Sequence, residues 1–128
     1  DKRSCNFTIP VDSKEGGTGI SAHDKYLTIK HLVNYEKDKL KIPGHTFPVT
    51  ARDNGVFERQ GHTEGSLDLV KLAKLYPAAV ICELMDRDNG MPLNGKKLQK
   101  FVKEHNLTIV SIKDIINHRI KNNIKWIK

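Results

Sequence analysis

The chain has 128 residues, with 22 Lys and Arg against 15 Asp and Glu for a net charge of +7. That length fits one domain able to bury a core without metal or disulfide staples. No run approaches the roughly 18 apolar residues of a membrane span, and Asp1 to Cys5 lacks the apolar centre of a signal peptide, so a cytoplasmic chain without membrane contact is expected.

Cys5 and Cys82 stand far apart with no Cys-x-x-Cys partner, which predicts two free thiols and neither a zinc cluster nor a disulfide framework. The positive field attracts phosphate, whether carried by nucleic acid or by a small sugar phosphate. Much of the charge lies in Lys37–Lys41, Lys96–Lys100 and the tail Arg119–Lys128, and the aromatics form no stacking platform. These lysines read as solvated faces, and nucleic-acid binding ranks second.

In chain order, Asn6–Val11 alternates as a strand does, and Gly16-Gly17-Thr18-Gly19 then predicts a turn where backbone can approach a ligand. Ser21 and Asp24 have capping-box spacing and predict a helix through Tyr26, Ile29, Leu32 and Val33. Phe47–Ala51 and Val56–Glu58 read as two strands joined through Asp53-Asn54-Gly55 in a primed hairpin turn. Ser66 with Leu67, Val70, Leu72 and Leu75 predicts a helix stopped by Pro77, and Ala79–Cys82 a buried strand ending at Glu83. Lys96–His105 predicts an amphipathic helix and Leu107–Val110 a strand. Ser111 and Asp114 repeat the capping box and open a helix with Ile112, Ile115, Ile116 and Ile120 inward; the tail frays or packs through Trp126. The expected fold is mixed α+β, a single layered domain over residues 1–128 with a mixed sheet flanked by helices.

The chemistry concentrates in Pro43-Gly44-His45-Thr46-Phe47, Arg59-Gln60-Gly61-His62-Thr63-Glu64 and Val80-Ile81-Cys82-Glu83-Leu84. His62 lies in a turn before a helix, where its ring can face a cleft and neighbouring amides can hold an oxyanion. A loop histidine is more often a surface residue, and His45 stands in the same position. Arg59 either lies over the hairpin or forks onto a phosphate. Glu83 is either a tuned acid at the end of a buried strand or an ordinary surface carboxylate. His23, His31, His105 and His118 receive no function.

With Thr18-Gly19-Ile20-Ser21-Ala22-His23-Asp24-Lys25, these segments closely resemble the 3,4-dihydroxy-2-butanone 4-phosphate synthases of riboflavin biosynthesis, in order from about Asn6 to Arg119. The resemblance implies a lyase that converts ribulose 5-phosphate to formate and 3,4-dihydroxy-2-butanone 4-phosphate. It further implies magnesium, with manganese a second candidate, and a homodimer with active sites near the interface. Residue by residue it implies His62 as a metal ligand and His45 and Glu83 as catalytic residues. Arg59, Gly61 and Thr63 would hold the phosphate, Gln60 standing where the family often has glycine, and Thr18 would contact the sugar.

The family also carries an acidic segment ahead of the matched region, which supplies a metal-binding glutamate and an aspartate; no equivalent stretch occurs in this chain. One histidine is a poor magnesium site, since magnesium prefers several oxygens in octahedral array. The chain is therefore expected to be the C-terminal part of a synthase domain, inactive alone, with the acidic segment supplied elsewhere. The alternative is an inactive homologue that binds phosphate or nucleic acid.

Overall fold

The computed structural model describes residues 5–126; Asp1–Ser4 at the start, and Ile127 and Lys128 of the predicted basic tail, lie outside the described residues. Two compact units emerge, residues 1–52 and 53–128. The class is mixed α+β, and the strands form two antiparallel pairs.

In the first unit, β1 (Asn6–Phe7) pairs with β4 (Val49–Thr50), and β2 (Val11–Ser13) pairs with β3 (Leu40–Thr46). The predicted strand from Asn6 to Val11 is thus two short strands separated at Pro10, whose nitrogen cannot donate to a ladder. Between Val11 and Asp12 the register on β3 jumps from Thr46 to Lys41. Residues 42–45, with a cis Ile42–Pro43 bond, therefore bulge out of the ladder. Gly44 seats this bulge against β2: a Cβ on it would lie 2.0 Å from the Val11 carbonyl carbon.

Helix α1 (Ala22–Val33) starts where its capping chemistry predicts, the Ser21 hydroxyl accepting the Asp24 N–H. Its buried residues are Asp24, Thr28 and His31, while Tyr26 is 57% exposed and Ile29, Leu32 and Val33 are half-buried, so a polar stripe packs deepest. The polar stripe has partners that the apolar residues lack. Thr28 Oγ1 accepts the Ser13 N–H and donates to the Asp24 carbonyl, both at 2.8 Å. Asp24 accepts the N–H groups of Gly17 and Gly19. His31 lies against Glu36 and Glu15, which Lys39 also joins.

In the second unit, Asp53-Asn54-Gly55 makes no hairpin. Both primed turns need positive φ at the first central residue, but Asn54 has φ −87° and only Gly55 is left-handed, at +59°. Gly55–Phe57 forms a 3₁₀ turn, and Val56, fully buried, donates its N–H to the Asp68 carboxylate instead of to a strand. Helix α2 (His62–Leu72) begins four residues ahead of Ser66, and α3 (Gly95–Glu104) and α4 (Ile112–Lys121) follow. The Ser111–Asp114 capping box is present in full. Gly65 lets α2 approach α4, because a Cβ there would stand 2.5 Å from Ile112 Cδ1.

On α4, Ile115 is buried, but the next inward position is Arg119 and not Ile120, which is 64% exposed. Arg119 donates from Nη1 to Asp68 at 2.7 Å and to the Asn54 carbonyl at 2.9 Å, with its guanidinium over the Phe57 and Trp126 rings. Trp126 Nε1 also donates to Asp68, so the tail packs through its indole as anticipated. The strands expected at Ala79–Cys82 and Leu107–Val110 are irregular and exposed, Val80 at 69% and Ile109 at 55%. An apolar run states a need for cover without naming the cover, and among the described residues no ladder pairs with either run. No helix among the described residues is long and apolar enough to cross a membrane.

Candidate active site

In the first unit the candidate residues gather around the bulge on β3. A bulge re-aims side chains that a regular ladder would alternate. Here it turns the His45 N–H away from the ladder and onto Asp12 Oδ1 at 2.9 Å, while the His45 ring sets Nδ1 2.7 Å from Asp12 Oδ2. The imidazole is half-exposed and Asp12 is buried. Burial pushes the Asp12 carboxyl up, but the His45 N–H, the His45 ring and the Lys41 charge outweigh it and hold the group below the usual carboxylate range.

The glycine turn closes over the same carboxylate. Gly19 has φ +83°, and a Cβ there would fall 2.1 Å from Asp12 Oδ2. Thr18, exposed and next to Gly19, is thereby tied to the element that holds His45. Lys41 Nζ donates to the Gly17 carbonyl at 3.2 Å, and Asp24 holds the other side of the turn through the Gly17 and Gly19 amides. The Gly17 N–H is the main reason that Asp24 sits below its ordinary range.

In the second unit the Arg59–Glu64 segment spans the start of α2. Gly61 is the N-cap, with no side-chain cap, and the first amides of a helix are donors suited to an anion. Arg59 Nη1 donates to Glu64 Oε2 at 2.6 Å, and Glu64 is 1% exposed. Gly61 makes this pair possible, because a Cβ would stand 2.0 Å from Arg59 Nη1 and 2.8 Å from Glu64 Oε2. Thr63 is buried in the first turn, while Gln60 and His62 are exposed. Arg59, Gly61, His62 and Thr63 thus cluster at one helix end.

Glu83 lies in an irregular, exposed stretch and not at the exit of a buried strand. Among the described residues, no group of three or more His, Cys, Asp or Glu side chains gathers to hold a metal ion. His62 by itself does not fit magnesium, which requires several oxygens. Two contributors escaped the sequence reading. Asp12 carries a signal, a carboxylate directly after the strand-like run Asn6–Val11 and ahead of a glycine turn. Glu64 belongs to the motif, yet its anchoring of Arg59 depends on the unpredicted helical turn at His62.

Comparison with known proteins gives this geometry a lineage. The family model for 3,4-dihydroxy-2-butanone 4-phosphate synthase matches residues 1–118. A protein of that name from Helicobacter pylori is 47% identical over 122 residues, covering 91% of this chain and 35% of its own length. The crystal structure of RibBX from A. baumannii, a two-domain 3,4-dihydroxy-2-butanone 4-phosphate synthase, superimposes with a TM-score of 0.86 at 36% identity over 93% of this chain and 36% of that one. A synthase structure in complex with two magnesium ions gives a TM-score of 0.80 at 30% identity, over 96% of this chain and 63% of that one. The chain therefore spans about a third of the length of the Helicobacter relative and under two thirds of the magnesium-bound structure. On a match over 118 of 128 residues, the chain belongs to the 3,4-dihydroxy-2-butanone 4-phosphate synthase family.

Proposed function

We propose that this chain supplies proton-transfer and phosphate-binding residues to a lyase that converts D-ribulose 5-phosphate to L-3,4-dihydroxy-2-butanone 4-phosphate and formate, a step of riboflavin biosynthesis in the cytoplasm. The observation that carries the reading is His45, presented on a strand bulge with its ring and its backbone both held by buried Asp12. A ketose forms an enediol by losing a proton beside its carbonyl, and an imidazole fixed in this way is suited to take and return such protons. Glu83 is the second proton-transfer group in this reading, and Thr18 contacts the sugar.

Phosphate retention falls to Arg59, Gln60, Gly61 and Thr63. The uncapped amides of α2 and the guanidinium beside them offer convergent donors, and Glu64 fixes the direction of the guanidinium. Holding the phosphate keeps the reacting carbons aligned through successive steps. A divalent cation, magnesium or manganese, needs oxygen ligands beyond His62. The reading takes them from residues outside these 128. It includes a homodimer, which light scattering on the full natural protein checks.

The test is formate release. The full natural protein containing this chain, with magnesium and ribulose 5-phosphate, is expected to produce formate, and His45→Ala to lower turnover by about 10²-fold or more. A full natural protein that releases no formate overturns the proposal.

A further inference from the structure

We infer that Asp12 is a positioning residue for His45, holding the imidazole as its Nδ1–H tautomer so that Nε2 is the atom that accepts a proton. The inference rests on the reading of His45 as the proton-transfer group. An ionised carboxylate only accepts hydrogen bonds, so the proton between Asp12 Oδ2 and His45 Nδ1, 2.7 Å apart, sits on the ring nitrogen. A neutral imidazole has one N–H, and placing it on Nδ1 leaves the lone pair on Nε2. When Nε2 takes a proton, the same carboxylate stabilises the imidazolium.

The rest of the geometry removes other options for the carboxylate. Its second oxygen accepts the His45 N–H, which fixes ring and backbone together. Gly19 packs against both oxygens, at a distance that any side chain would close, so the carboxylate has no room to swing. Asp12 is 1% exposed while the imidazole is 52% exposed, so one partner is rigid and the other faces outward. The ionised state of Asp12 is consistent with its lowered pKa.

Asp12→Asn separates this role from simple support of the bulge. Asparagine keeps the size and can still accept the His45 N–H, but its amide donates toward Nδ1 and favours the opposite tautomer. Long-range proton–nitrogen NMR of the full natural protein, above the titration range of the imidazole, is expected to show Nδ1–H in the wild type and Nε2–H in Asp12→Asn. Turnover in the variant is expected to fall by about 10²-fold while KM stays within about threefold. An Nε2–H tautomer in the wild type overturns the inference whether or not the variant folds, and so does a folded variant with wild-type turnover. If His45→Ala keeps full turnover, the functional reading fails instead, and the tautomer still decides the positioning claim.

Discussion

Gly19 and Gly61 solve the same packing problem in different backbones. Each omits a Cβ where a carboxylate and its partner must pass, Asp12 under Gly19 and the Arg59–Glu64 pair beside Gly61. The consequences of adding a methyl group differ. At Gly19 the backbone is left-handed and the obstructing atoms belong to a buried carboxylate, so Gly19→Ala is expected to cost about 1–3 kcal/mol in urea denaturation. At Gly61, φ is −113°, an ordinary value, and the atoms in the way are the ends of two side chains. Gly61→Ala should therefore fold, turn Arg59 aside and raise KM for ribulose 5-phosphate about tenfold with a smaller change in kcat, the pattern of lost uniform binding. An unchanged KM would detach Arg59 from the phosphate. Both glycines stand out in the sequence as turn residues, but the contacts that they make room for do not, because each contact forms only once the turn has folded.

The elements show the same limit on a larger scale. The start of α4 is legible because Ser111 and Asp114 satisfy each other within three residues, and α1 opens at Ser21 for the same local reason. Longer-range pairing decides what α4 buries. Apolar spacing points to Ile120, but Asp68 on α2 and the Asn54 carbonyl draw Arg119 inward, and no periodicity encodes that. The same partnership explains why Asn54-Gly55 is not a hairpin turn: Asp68 takes the Val56 N–H that a second strand would have used. Arg119→Ala leaves the Asp68 carboxylate buried without its cation and is expected to cost about 3–5 kcal/mol. Ile120→Ala, on the exposed side, is expected to stay within about 0.5 kcal/mol. Urea denaturation followed by Trp126 fluorescence compares them directly, since the indole touches both Asp68 and Arg119. Equal losses would show that the Arg119–Asp68 pair contributes no more to stability than an exposed side chain.

Across the whole molecule the charge pattern sets the response to acid. Asp12, Asp24, Glu36, Asp86 and Asp114 all sit below their ordinary pKa values in the folded chain. The causes are local and varied: at Asp12 burial opposes the shift but loses to His45, and the leading causes elsewhere are the Gly17 amide at Asp24, the His31 ring at Glu36, Lys97 at Asp86 and Ser111 at Asp114. The unfolded chain binds protons at these groups near pH 3.9 for Asp and 4.3 for Glu, and the folded chain binds them only at lower pH. Their stabilisation is thus complete only above about pH 5 and is lost as pH falls toward the folded values. Lys39 and Lys97 run the other way: raised by Glu15 and Asp86 first, they contribute fully below about pH 10.4 and lose that contribution above it. Acid also leaves 22 Lys and Arg and 6 His charged without their counter-charges, and self-repulsion adds to the loss. The urea midpoint is therefore expected to fall as pH drops through about 4. Asp24→Asn should lower the neutral-pH midpoint while flattening that fall, because the amide has no proton to gain. An acid limb as steep in Asp24→Asn as in the wild type would mean that the glycine turn takes no part in acid unfolding.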